Sequence, residues 1–355
     1  MKKFFKVLLN LFDVSVDAGG VNTSNGYVIN AYTNTIETSG NDFTPEQAKF
    51  YSKVFLKNYT GKLVHGQFGA KEVYPKHNGG IVNIRGMSPY PTATTPLREG
   101  VTPAGNQMNF YYVEVPVYQY GAYTPITDFA QFASRDDVLV HDSEELSSQA
   151  GRTIEEIDAE VLNSGTSVIY TPALSSDGTE TEVKSRSAIT KLSKFRVETV
   201  FRGLNYLENQ NAEPIGESYV AIIHPNVKFD VMRDPEFISI MKYNQTERIL
   251  KGEIGTIGNI RFVMSTYAKV FKGAGSGGIN VYSTLLFAKD AYKTIEIEGE
   301  GMHTIIKPLG SGGTSDPLDQ RATQGWKTTH GIAITSQTCM VRIESASSID
   351  STPAA

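Results

Sequence analysis

Carboxylates, histidines and glycine-rich turns are the residues of this chain that could do chemistry. Glu155 and Glu156 are adjacent, and Glu296, Glu298 and Glu300 alternate. Paired carboxylates serve general acid–base catalysis. The first two are expected on the solvent side of a helix and the other three along a strand edge, where such groups are simply solvated. The six histidines (His65, His77, His141, His224, His303 and His330) form no HxH or HxxxH pair, so no metal site is expected. His224 ends an apolar strand before Pro225 and reads as a satisfied structural residue. GAGSGG at 273–278 and GSGGTS at 310–315 look like phosphate loops. Neither ends in Gly-Lys-Ser/Thr, and neither joins a strand to a helix. No Ser or Cys sits in a nucleophile-elbow context. The residues offer no catalytic constellation, and no cofactor is implied.

Composition narrows the class. With 355 residues there is room for two or three domains. A formal charge of −5 and a pI near 5.8 argue against a surface made to grip nucleic acid. The one cysteine, Cys339, excludes an intramolecular disulfide and a Cys-based zinc site, and reads as a small buried hydrophobe. The start, MKKFFKVLLNLFDVSV, is superficially like a secretory signal, but Lys6, Asn10 and Asp13 interrupt its apolar run. Phe4, Leu8, Leu11 and Phe12 share a helical face instead, which suggests docking on protein. No stretch approaches the roughly 18 continuous apolar residues of a membrane span. A soluble protein made in the cytoplasm is expected.

The elements that would position any site are an arm, a hairpin and a long helix. Residues 14–42 are rich in Gly, Asn, Ser and Thr and read as an extended arm. Thr44-Pro45-Glu46-Gln47 opens a helix running to about Tyr59. Strands separated by Gly and Asn-Gly turns follow from Lys62, beginning with LVHGQFG. Residues 88–109 carry four prolines and few aliphatics, so they cannot form a core. Flanked by IVNIRG and FYYVEVPVYQYG, they read as the distal part of a hairpin that needs a partner for its order.

Between Arg135 and Gly165, Val138, Leu139, Leu146, Ala150, Ile154, Ile157 and Val161 fall on one helical face. The spacing predicts a rod of roughly 40 Å. A hairpin is expected around Asp177-Gly178, then a helix capped by Ser193 that buries Phe195, Val197, Val200, Phe201, Leu204 and Leu207. Strands at 217–224, 258–265 and from Ile279, and short helices at 226–233 and 235–250, complete an α+β pattern.

Four stretches of this chain resemble the major capsid proteins of tailed bacteriophages with the Hong Kong 97-type fold, specifically the coliphage N-four branch. They are Thr95–Gly105, Gln119–Asp128, Ala221–Pro225 with Gly252–Gly255 and Arg261–Val263, and Lys307–Lys327. The resemblance implies an N-terminal arm (1–44), then a helix and linking strands (45–79). After these come an extended loop (80–115), a peripheral domain with a spine helix (116–165, joined by strands 300–345), an axial domain (166–299) and a tail (346–355). It implies a structural protein and not an enzyme, located in the virion capsid. Its partners would be copies of itself in hexamers and pentamers, with portal and scaffolding or cement proteins. Packaged DNA would be touched only weakly and non-specifically, and membranes not at all. Some relatives crosslink a loop Lys to an Asn, but residues 88–106 contain Arg98 and no Lys. No long scaffolding segment precedes the arm, so a separate scaffold or a processed form is implied. Pro96, Leu97, Val101 and Pro103 are expected to pack on an adjacent subunit, with Arg98 and Glu99 in ion pairs between subunits. Trp326, Pro317, Asp319 and Arg321 are expected to organise a junction with a loop, although Trp326 also suits a plain core anchor. A shell of the same fold around a cellular nanocompartment, and a β-rich hydrolase using two carboxylates, are the alternatives.

Overall fold

The computed structural model describes residue 55 and residues 63–76, 80–97, 99–100, 102, 105–134, 138–175, 177–244, 256–299, 301–313 and 316–349. The expected arm, most of the helix from Thr44, the acidic start of the long helix, residues 245–250 and the end of the tail lie outside these. The chain forms two compact units, one from residues 1–60, 121–150 and 303–327, the other from 61–120, 151–302 and 328–355. Helix α2 (Val138–Leu162) and strands β4 (Tyr118–Thr127) and β15 (Arg321–Ile334) contribute to both.

In the first unit, β14 (His303–Lys307) runs antiparallel to β15, with Thr304 opposite Trp326, and β4 also pairs with β15. Two glycines permit that approach. A Cβ on Gly121 would lie 2.7 Å from the Trp326 carbonyl, and one on Gly325 would lie 2.8 Å from that of Ala122. Helix α1 (Asp128–Ala133) follows β4, capped by Thr127 Oγ1, which accepts from Ala130 N at 3.2 Å. Ser143, Leu146, Ser147 and Ala150 of α2 are buried, and Ser147 Oγ donates to the Phe55 carbonyl.

In the second unit, β1 (Ala70–Tyr74) and β2 (Ile81–Met87) are followed by β3 (Phe110–Pro116), which closes an antiparallel hairpin with β2 from Ile81↔Pro116 to Met87↔Phe110. The main sheet is built from β5 (Val168–Tyr170), β8 (Tyr219–Ile223), β9 (Thr256–Ile257), β10 (Ile260–Met264), β12 (Val281–Phe287) and β16 (Met340–Ser345), in the order β5-β16-β12-β8-β10-β9. The seventh strand, β11 (Val270–Phe271), pairs with β12. Five consecutive buried residues in β8 show that both faces are covered. Tyr219, Ala221 and Ile223 join one core with Val200 and Leu207 of α3 (Val197–Asn209), Val227 and Val231 of α4 (Pro225–Met232), and Phe237 of α5 (Pro235–Asn244). Ile222 points the other way, into a core with Leu162 of α2 and Tyr292 of β13 (Tyr292–Ile297). β6 (Ala173–Leu174) and β7 (Glu180–Thr181) form the hairpin expected around Asp177-Gly178.

Several expectations change. LVHGQFG is not a strand but contains a 3-10 turn, His65–Gln67, because its apolar residues serve a loop that grips α2. Ser193 does not cap α3; it is buried in a ribbon bridged to Ala346, and Asp234 Oδ2 receives the Val197 N–H at 2.9 Å instead. Phe201 is 40% exposed, and Gly203 faces the sheet in place of a large residue. β13 is no edge, since β1 and β15 flank it.

Candidate functional site

The largest departure from the sequence reading is Glu155, which is fully buried and not on the solvent side of α2. Its Oε2 accepts the Val64 and His65 backbone N–H groups at 2.8 and 3.0 Å. Its Oε1 lies 2.6 Å from His65 Nδ1 and accepts from Ser265 Oγ at 2.9 Å. Three residues on, and so on the same helical face, Asp158 Oδ1 meets His330 Nε2 at 2.6 Å. Tyr292 hydroxyl donates to the His65 carbonyl. Burial pushes the Glu155 carboxyl upward, but the hydrogen bond and charge of His65, with two backbone N–H donors, outweigh it and hold it below the ordinary value of 4.5. Burial, with the nearby carboxylates, pushes the Tyr292 phenol far up.

Both Glu155 oxygens are occupied and the side chain has no exposed surface, so a substrate has no approach to it. The group ties the turn at His65 to α2 and to the residue after β10. Neither the i,i+3 spacing of the acids nor the apolar setting of His65 marks this arrangement in the sequence, because the pair is 90 positions apart. His224 behaves as expected. Its Nδ1 accepts from Asn226 N at 3.1 Å to cap α4, and burial lowers its pKa. Among the described residues no His/Cys/Asp/Glu group could hold a metal. No described helix is long and apolar enough to cross a membrane.

The outer part of the hairpin is a second candidate. Near its base Val82, Ile84 and Val115 pack with Ile295. Beyond that, Met87, Tyr90, Leu97, Met108 and Phe110 are all large and exposed, Leu97 by 79%. Pro96 and Glu99 are exposed beside Leu97, whereas Arg98, Val101 and Pro103 lie outside the described residues. Pro317, Asp319 and Arg321 are exposed on a turn in which Asp316 accepts from Asp319 N and Arg321 N. Trp326 is only 3% exposed and donates from Nε1 to Gln149 Oε1 at 3.3 Å, so its surface is used within its own subunit.

This architecture recurs in virus shells. The capsid of cyanophage P-SCSP1u superposes with a TM-score of 0.61 at 14% identity, covering 80% of this chain and 88% of that one. The capsid of Ralstonia phage GP4 gives 0.61 at 13% identity, over 82% and 90%. The cyanophage Pam1 capsid gives 0.60 at 12% identity, over 82% and 93%. The fold is therefore that of the phage capsids, the Hong Kong 97-type α+β fold. A family model described as phage capsid protein matches residues 111–343, and no curated protein matched. The chain belongs to the phage capsid protein family and is a major capsid protein, with its place in the virion shell.

Proposed function

We propose that this protein assembles through hexameric and pentameric capsomers into the icosahedral head of a tailed phage around double-stranded DNA. In this reading the hairpin (80–115) overlaps an adjacent copy and α2 is the spine. Residues 116–165 with 300–345 form the peripheral domain, 166–299 the axial domain and 1–44 an arm. The observation that carries it is the exposure of Met87 and Phe110 at the end of a ribbon of only two strands and of Tyr90, Leu97 and Met108 in the segment beyond it. A two-stranded ribbon is marginal in water. Each such side chain gives about 1.5–3 kcal/mol on full burial, so a neighbour's surface would stabilise it substantially. Closed rings need heterologous contacts of this kind. The family match supports a structural role, and the Glu155 carboxylate, bonded through both oxygens, is closed to substrate. Deleting residues 88–106 tests the proposal. The shortened chain should keep its circular-dichroism melt yet form no closed particles in negative stain. Closed shells from the deleted chain, or an isolated monomer from the intact one, would overturn it.

A further inference from the structure

The stretch after the β6–β7 hairpin runs against the chain's overall charge. From Val183 to Arg196 (VKSRSAITKLSKFR) it carries three lysines, two arginines and no acid, in a protein of net charge −5. The arginines are engaged: Arg186 forks onto Glu344 at 2.7 and 2.6 Å, and Arg196 reaches Glu180 at 3.2 Å. Lys184, Lys191 and Lys194 are exposed, with no acidic partner among the described residues. The backbone carrying them is fixed. Ile189, Ser193 and Phe195 are buried, Ser276 N donates to the Ile189 carbonyl and Ala346 N to that of Ser193, both at 2.8 Å.

Lys191 and Lys194 line a cavity of about 340 Å³ with Asn280, Ser347 and Ser348, and with no carboxylate among the described lining residues. A second cavity of about 370 Å³, also lined by Lys194, adds Arg196 and Arg233. That second cavity also holds two carboxylates, Asp230, which accepts from Ser348, and Asp234, which accepts from Val197 N and Glu236 N, so the acid-free cavity beside Lys191 is the one suited to phosphate. We propose that this basic turn is where the shell meets the phosphate backbone of its enclosed duplex DNA, an inference that rests on the capsid reading above. Lysine suits the task because it acts as a mobile point charge on phosphate and carries no sequence information. The chain's net charge of −5 keeps the contact weak.

Fluorescence anisotropy of a labelled 30-base-pair duplex, read over a salt series with full-length chain kept below its assembly concentration, tests this. The unmutated chain should bind at about 50 mM salt and release as salt rises. In K191Q/K194Q the slope of log affinity against log salt should fall by about 1.8, shrinking the change between about 50 and 200 mM roughly tenfold. K289Q/K293Q, which removes lysines already paired with Glu213 and Glu72, should leave the slope unchanged. An unchanged slope in K191Q/K194Q, or no binding by the unmutated chain at low salt, overturns the inference. Negative-stain particles from the same proteins judge the capsid reading separately, since K191Q/K194Q should still close shells.

Discussion

Removing the Glu155 carboxylate should be among the most costly single changes in this protein. In Glu155→Ala the Val64 and His65 backbone N–H groups lose their acceptor, and His65 Nδ1 and Ser265 Oγ lose theirs. An unsatisfied buried donor costs about 1–3 kcal/mol, and breaking a buried pair about 3–5 kcal/mol. The Ser265 hydroxyl can rotate, so a loss of about 3–5 kcal/mol is expected. Glu155→Gln should behave differently. Its amide oxygen can still take the two backbone N–H groups, while its NH₂ faces His65 Nδ1 and Ser265 Oγ, both able to accept. Only the charge-assisted part is lost, about 1–2 kcal/mol. Because the folded carboxyl titrates below 4.5, the native contribution is complete above that pH and fades as pH falls through the lowered value. Glu155→Gln should therefore flatten the acid limb of the stability curve. Urea melts from pH 3 to 8, with amide exchange at Val64 and His65, measure both effects. Glu155→Ala within 1 kcal/mol of the unmutated chain, or an unchanged acid limb in Glu155→Gln, would refute this reasoning.

Three other outcomes are expected. Trp326→Ala should lose about 3–5 kcal/mol, read by denaturant melts, because a 3%-exposed indole leaves a cavity beside β4. Gly203→Ala, which would gain about 1 kcal/mol in an open helix, should instead lose about 1–2 kcal/mol in the same assay. Its Cβ would stand 2.9 Å from Ile343 Cδ1 and 3.1 Å from Leu286 Cδ2. Glu344→Ala should cost about 3–5 kcal/mol in thermal or urea melts, since Arg186 and Arg342 both converge on that buried carboxylate.

Elements with their own periodicity were legible in the sequence. The span of α2 follows from apolar spacing, and the β2–β3 hairpin from a proline-rich stretch between alternating strands. Features decided by distant partners were not. Glu155 and Glu156 are indistinguishable by composition, and distant partners, the His65 turn and Ser265, accompany the full burial of one while the other is exposed. Ser193 has the chemistry of a cap, but the bridge to Ala346 gives its backbone another use, and Asp234 supplies the cap from 37 positions away. Phe201 fits the helical stripe, yet the close approach of Ile343 and Leu286 requires Gly203 there instead. Local pattern thus locates the elements, while the contacts between them decide which polar residues lie inside.

The polar lining of α2 also bears on why a long helix of a shell protein is not simply apolar. Buried ion pairs can often be replaced by hydrophobic residues with no loss, or with a gain of about 1–4 kcal/mol. The His65–Glu155 pair should not follow that rule. A His65→Leu/Glu155→Leu double variant removes both titrating groups and fills their volume, but the Val64 and residue-65 backbone N–H groups still point at the space that Oε2 occupied. Those two donors alone should cost about 2–4 kcal/mol. Leucines also lack the directional bonds that fix where the turn before the hairpin attaches along α2, so the amides of residues 64 and 65 should exchange faster as well. A double variant as stable as the unmutated chain, with those amides still protected, would show that packing and not hydrogen bonding anchors this turn.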